Sequence, residues 1–334
     1  MARESGKIGE GVVGATIAAI QDLRSRKAPD ISPLPDDVRI DGKTCLVTGA
    51  NSGLGRAAAI DLARRGGNMI LACRPGHAET SGEIMRLSGS GSVELIEVDL
   101  ADLRSVHRFC DELYRRKIRI DIALLNAGLM SRRSRKTPQG YEVMFAVHFL
   151  AKRVMIDRLL KDGVIRPSRK AGETPRIVII ASESHRSAQA IDFDRLGAYT
   201  EFGITENMRH YAISKLALCT FATELSRRLN PTERVDVAVH AMCPGGVATN
   251  IARDAPMLLR PIVNAVLRRF FQSPEEAIGP VIYLCCAEEA GISTGMYLHL
   301  MHRKQVSPVA SDPENGSRLW SASELLVAKS REPE

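Results

Sequence analysis

The sequence predicts an α/β fold, a doubly wound parallel sheet, on three observations. Short apolar runs alternate with segments of helical periodicity from residue 41 to residue 301. The runs are nearly unbroken rather than alternating apolar and polar, as expected of strands covered on both faces. The first run empties into a glycine-rich turn that opens a helix. With 334 residues, 44% hydrophobic and 25% charged, the chain can bury a core without disulfide or metal staples. The regularity favours one domain over residues 41–301, and no internal repeat is found.

The elements follow in order. Residues 1–40 form an extension. Ile8, Val12, Val13, Ile17 and Ile20 recur near helical spacing, and a Pro-rich linker follows through Pro33 and Pro35. Strands are expected over residues 43–48, 68–73, 93–98, 120–125, 176–181, 235–241 and 295–300. Helices are expected over residues 54–65, 102–116, 137–160, 208–229 and 274–287, with Pro138 in the first turn of the third. Residues 302–334 read as a tail in which Leu319, Trp320, Leu325 and Leu326 form a short closing helix.

Composition narrows the function classes. Aromatics are 4%, few for a base-stacking nucleic-acid module. The net charge of +7 is dispersed, and its densest run, Arg132, Arg133, Arg135 and Lys136, reads as a solvated loop. The seven cysteines include no CxxC, so neither zinc spacing nor a redox motif appears, and no metal site is expected. No segment reaches the ~20 apolar residues of a membrane span. A cytoplasmic protein is expected, with peripheral membrane contact left open.

The first strand runs into Thr48-Gly49-Ala50-Asn51-Ser52-Gly53-Leu54-Gly55. Glycines there let the backbone turn sharply and approach a pyrophosphate, and the helix start offers free N–H groups and a positive dipole end. Other motifs fall at strand ends: Asp99-Leu100, Asn126-Ala127-Gly128, Ser182, and Pro244-Gly245 with Val247 and Thr249. Tyr211 and Lys215 stand four apart on a helix. In this order the set resembles the short-chain dehydrogenase/reductase family, whose fold is the Rossmann fold, over roughly residues 40–300. The resemblance implies that Gly49, Asn51, Ser52, Gly53, Leu54, Gly55, Asp99, Leu100, Asn126, Ala127, Gly128, Pro244, Gly245, Val247 and Thr249 line a dinucleotide, with Asp99 at the adenine amino group. The end of the second strand reads Ala72-Cys73-Arg74, without the carboxylate that would bind a ribose 2′-hydroxyl. Arg74 can fork onto a 2′-phosphate, and Arg56 adds charge nearby, so NADP(H) is expected over NAD(H).

Four apart, Tyr211 and Lys215 face one side of their helix. A phenol of ordinary pKa near ~10 is a poor base at neutral pH, and a nearby ammonium favours the phenolate. Lys215 also suits the nicotinamide ribose hydroxyls. Ser182, at the carboxyl edge of its strand, is the candidate to hold the substrate oxygen, with Ser184 as the alternative. His185 reads as structural or pocket-lining. The expected chemistry is hydride transfer to or from a nicotinamide, with Tyr211 moving the proton. Where the family carries an asparagine that supports a water relay to the lysine, this chain has His148. Either the relay is rebuilt around His148, or turnover is slow, or His148 is a satisfied core residue.

Within the family the chain looks most like the retinol dehydrogenases and the WW-domain-containing oxidoreductase. The segments that carry this likeness are residues 48–55, 70–74, 182–186, 212–216 and 295–297. The first 40 residues hold no tryptophan, so a WW domain is not expected there. The resemblance implies lipophilic alcohol, aldehyde or ketone substrates of retinoid or steroid type. Residues 256–263 and 266–271, apolar with interspersed arginines, read either as a greasy lid over the pocket or as a core-packing helix. The rival functions are a dinucleotide-binding sensor or scaffold with little turnover and, more distantly, a nucleotide-sugar epimerase. The subunit state is left open, with a homo-oligomer among the options.

Overall fold

The computed structural model of the chain describes residues 29–168, 172–246 and 272–330. The expected helix in residues 1–27, the 256–271 lid, Val247 and Thr249 lie outside them. Strands β1 (Thr44–Thr48), β2 (Asn68–Cys73), β3 (Val93–Glu97), β4 (Ile122–Leu125), β5 (Arg176–Ile180), β6 (Ala238–Cys243), β7 (Tyr297–His299) and β8 (His302–Lys304) make one sheet. Their order is β3-β2-β1-β4-β5-β6-β7-β8. All neighbours pair in parallel except β7 with β8, so the carboxyl ends of β1 to β7 share one edge.

Helices cover both faces. On one side Leu46, Ile177 and Ile179 pack with α3 (Leu103–Arg115), α4 (residues 143–161) and α5 (Asn207–Leu229). On the other, Val47, Val178 and Ile180 pack with α1 (Gly53–Arg64), α2 (Glu79–Ser88) and the pieces α6 (Pro274–Ala277), α7 (Gly279–Cys286) and α8 (Glu288–Ile292). Successive strand residues point to opposite faces, which is why the runs read as unbroken apolar. The seven cysteines are free and buried.

Several boundaries differ from expectation for identifiable reasons. The helix expected from residue 137 begins at Val143. Gly140 is left-handed (φ +84°), and Thr137 and Tyr141 close a tight turn, so Pro138 sits in that turn. The Glu142 carboxylate caps the helix by accepting from Met144 and Phe145. This helix, α4, runs as an α-turn Val143–Phe145, a π-helical turn Ala146–Leu150 and an α-helix Ala151–Lys161. Strand β6 starts at Ala238, because the Asn230 side chain takes the backbone N–H groups of Asp236 and Val237. Pro280 splits the helix expected over residues 274–287. Helix α2 and strand β8 were not anticipated, and β8 gives the sheet an antiparallel edge.

The C-terminal residues pack on the body. Helix α9 (Pro308–Ser311) and helix α10 (Pro313–Lys329) lie against α5, and Leu319 is buried. Trp320 is clasped by Arg153, 4.0 Å from its ring centroid, and Arg228, at 4.4 Å. Leu325, counted in the apolar set, is exposed. The proline-rich linker packs at the β7–β8 turn, where Asp30 and Ile31 donate to the Met301 carbonyl.

Candidate active site at the carboxyl edge of the sheet

The turn after β1 is built around close backbone approach. Gly49 is left-handed at φ +69°. A Cβ at Gly55 would lie 2.4 Å from the Gly49 carbonyl and 2.3 Å from Asn126 Nδ2. Asn126 braces the turn from β4, donating to the Thr48 carbonyl at 3.0 Å, and Thr48 Oγ1 accepts from Ala127. Asn126 therefore serves the turn directly, a finer role than lining a ligand. Helix α1 begins after Ser52 with no side-chain cap and no acidic residue in its first turn. Its leading N–H groups and positive dipole end suit a phosphate, so these residues fit a dinucleotide.

Arg74 follows β2 directly, is exposed, and has no hydrogen-bond or ion-pair partner among the described residues. Arg56 does not share that freedom, because it is paired with Glu83. Asn51 Nδ2 lies 3.3 Å from His77 Nε2. Asp99 turns one carboxylate oxygen to the Ala101 N–H at 2.9 Å. Leu54 and Leu100 are buried, and Ala127, Pro244 and Gly245 are half-buried at the same edge. Gly245 is left-handed, and a Cβ there would strike Leu300 at 2.6 Å.

Ser182 follows β5 and caps the 3₁₀ turn Glu183–Ser187. Its Oγ accepts from the Ser184 N–H, donates to Ser184 Oγ at 3.1 Å, and is hydrogen-bonded to Tyr211. Ser184 thus stands behind Ser182. Burial pushes the Tyr211 phenol up to about 12, and the Ser182 hydrogen bond opposes that. Lys215 Nζ sits over the Tyr211 ring, 5.6 Å from its centroid, and donates to the Ile180 carbonyl at 3.2 Å. The phenol shifts up rather than down, contrary to the expected pull of the ammonium. Desolvation outweighs a charge placed over the ring face. Burial in turn pushes Lys215 down to about 8.

His148 has no free nitrogen. Its Nε2 accepts the Leu129 N–H at 3.0 Å, which leaves the proton on Nδ1, 2.9 Å from Ser214 Oγ. Ser214 Oγ donates onward to the Tyr211 carbonyl at 2.7 Å. The ring packs edge-on against Tyr211 at 5.3 Å, and burial keeps His148 neutral, pushing it well below its ordinary value. Of the readings open in the sequence, the satisfied core residue fits this geometry, and a water relay held by the imidazole does not. His185 is likewise engaged at both nitrogens, by the Ser182 carbonyl and the Ser307 N–H.

Three participants were not read from the sequence. Ser214 lies inside the Tyr-x3-Lys motif, and its position there was the available signal. Thr48, which leads the glycine turn, is a buried hydroxyl. Lys152 is fully buried on the α4 face that carries His148; a lysine within an apolar helical stripe was its signal.

The family model for short chain dehydrogenase matches residues 43–191. Human retinol dehydrogenase 14 is 35% identical over 303 residues, covering 86% of each chain. The WW domain-containing oxidoreductase of Danio rerio is 31% identical over 303 residues, covering 88% of this chain and 70% of that one. Among solved structures, a Beutenbergia cavernae protein assigned as an NAD(P)-dependent gluconate 5-dehydrogenase, with NADP bound at low occupancy, superposes with TM-score 0.58 at 26% identity. It covers 79% of this chain and 97% of its own.

Proposed function

Because the chain belongs to the short-chain dehydrogenase/reductase family of oxidoreductases, we propose that it is an NADP(H)-dependent enzyme acting on lipophilic carbonyls and alcohols. The observation that carries this reading is the convergence of Ser182, Tyr211 and Lys215 at the sheet edge that also bears the uncapped start of α1.

Gly49, Gly53 and Gly55 with the first turn of α1 would hold the pyrophosphate, and Arg74 the 2′-phosphate. A bound nicotinamide supplies or accepts the hydride. Ser182 holds the substrate oxygen. Tyr211 passes its proton to the oxygen in carbonyl reduction and takes it back in alcohol oxidation. Lys215 places its ammonium beside Tyr211 and has donors left for ribose hydroxyls.

Preference for NADP(H) rests on Arg74 and the absence of a carboxylate after β2. The NADP-bound relative is consistent with it. The lipophilic substrate class rests on the similarity to retinol dehydrogenases and on the apolar 256–271 segment. Among the described residues no helix is long and apolar enough to cross a membrane. Contact with a membrane surface through residues 256–271 belongs to the same proposal. The test is tight binding of NADPH over NADH, followed by single-turnover reduction of a retinoid aldehyde. Equal affinity for NADH, or equal efficiency on small polar carbonyls, would contradict the corresponding part.

A second reading has one observation behind it. His148 stands where the family carries a relay asparagine and offers no nitrogen to water. A dinucleotide-binding sensor with little turnover would bind NADPH tightly and reduce no carbonyl in a broad panel.

A further inference from the structure

The turn that carries Ser182 is gripped by the C-terminal segment. Lys304 donates to the Glu183 carboxylate at 3.1 Å, Arg186 donates to the Gln305 carbonyl, and the Ser307 N–H donates to His185 Nε2 at 3.0 Å. Of the three turn side chains involved, only His185 is fully buried. Its ring packs edge-on against Tyr297, centroids 5.5 Å apart, and Tyr297 donates to Glu183 at 2.9 Å. Ser307 is itself buried and caps α9, which lies against α5, the helix of Tyr211 and Lys215.

The two ring nitrogens of His185 have different partners and different roles. A backbone N–H can only donate, so Nε2 accepts from Ser307 and the ring proton stands on Nδ1. Nδ1 lies 2.7 Å from the Ser182 carbonyl, which also accepts the His185 backbone N–H at 3.1 Å. The imidazole thus bridges the backbone of Ser307 to the backbone of Ser182. Only the neutral ring does this: an imidazolium would turn a second donor toward the Ser307 N–H. Burial pushes His185 below its ordinary value and so favours the neutral form, against the pull of the Ser182 carbonyl. With the carbonyl of Ser182 anchored, the hydroxyl of the same residue is held toward Ser184 and Tyr211.

Resting on the oxidoreductase reading for its functional consequence, we propose that His185 is a positioning residue, the link through which the backbone of Ser307 holds Ser182 beside Tyr211. The C-terminal segment is then part of the framework that aims the Ser182 hydroxyl. No proton is transferred and no covalent bond changes; the link acts by fixing the peptide that follows Ser182. Losing it frees the hydroxyl from the Ser184 N–H, from which it accepts at 3.2 Å, and slows the step that needs Ser182 aligned with Tyr211. NADPH affinity is spared, because the link ends after β5, two strands away from the glycine turn that follows β1.

Hydrogen exchange at the Ser184 N–H, read by NMR on the full-length protein, reports where Ser182 Oγ stands. Ser307→Pro deletes the donor at a position whose φ of −60° proline adopts. His185→Asn keeps a donor at the place of Nδ1 and is too short to reach Ser307. Each should speed Ser184 exchange about three- to tenfold, the worth of one hydrogen bond, with Val178 in β5 unchanged. The double variant should be no faster than the faster single one, because both cut the same link. Ser307→Ala, which removes the cap of α9 and keeps the N–H, should exchange as wild type does. Single-turnover reduction with saturating NADPH should slow in Ser307→Pro and His185→Asn by a similar factor, at unchanged NADPH affinity. Unchanged exchange in both single variants, additive effects in the double variant, or an equal effect in Ser307→Ala overturns the proposal. So does a hydride-transfer rate that stays at wild type where exchange has risen. A ring proton on Nε2 in the ¹⁵N spectrum of the wild type at pH 7 overturns it without any variant having to fold. A wild type that reduces no carbonyl would count against the oxidoreductase reading, while exchange decides the link independently.

Discussion

His148 Nδ1 lies 2.9 Å from Ser214 Oγ, and through Ser214 the imidazole on α4 fixes the backbone carbonyl of Tyr211 on α5. The chain Leu129 N–H to His148, His148 to Ser214, Ser214 to Tyr211 is complete, with each donor meeting an acceptor. A satisfied buried network of this kind rigidifies what it joins.

Breaking it should cost stability and blunt catalysis together. His148→Asn is too short to span from Leu129 to Ser214 and leaves one of them unpaired. A loss of about 1–3 kcal/mol in denaturant unfolding is expected, with turnover lowered and NADPH affinity nearly unchanged. A gain in turnover would instead show that His148 merely replaces a better relay residue.

Lys215 should make folding pH-dependent. Its midpoint of about 8 in the folded chain lies below the ~10.4 of an exposed lysine, so between these values the unfolded chain binds the extra proton. Stability therefore rises with pH across that window, and below it the full penalty of burying the charge is present. Lys215→Met should gain about 3 kcal/mol on wild type at pH 7 relative to the same comparison above pH 10. Parallel stability curves from pH 7 to pH 10 for the two proteins would contradict the burial.

Glu183 acts in the opposite direction. Burial raises its pKa, but the hydrogen bond from Tyr297, with His299 and Arg186, outweighs that and brings it to about 2. Its carboxylate joins the turn beside Ser182 to β7 and β8 through Tyr297, at 2.9 Å, and Lys304, at 3.1 Å. The stability this supplies is present above the ordinary glutamate range and is lost as pH falls toward 2. Glu183→Gln should remove roughly 3 kcal/mol at pH 7 and flatten the acid limb of thermal unfolding between pH 5 and pH 2.

Arg74→Ala should weaken NADPH binding roughly 10- to 100-fold, the worth of a charge-assisted contact, and leave NADH binding unchanged. Equilibrium fluorescence titration with both dinucleotides checks this. A parallel loss for both would mean that Arg74 supports the turn rather than reads the phosphate.

What the sequence reveals depends on whether the signal is local. Strand β2 is legible to the residue, because an apolar run lies between Gly67 and Arg74. The start of β6 is displaced by a side chain, Asn230, that no periodicity reports. Helix α2 escapes because Thr80 and Ile84 are its only buried residues, and β8, read His-Arg-Lys, is a polar edge strand. At the site, Ser182, Tyr211 and Lys215 are visible as motif positions. The partners of His148, the upward shift of Tyr211 and the isolation of Lys152 arise from packing α4 against α5, and so appear only in the fold.

Tyr211→Phe tests the central claim most directly. The ring still packs against His148, so fold and NADPH affinity should survive, while the group that passes the proton to the substrate oxygen is gone. The measurement is single-turnover hydride transfer from NADPH to an accepted lipophilic aldehyde, with cofactor affinity determined separately. A fall of roughly 10²–10⁴-fold or more at unchanged NADPH affinity is the expected result. Retention of most of the wild-type rate would show that the proton comes from elsewhere and that Tyr211 is not the acid of this site.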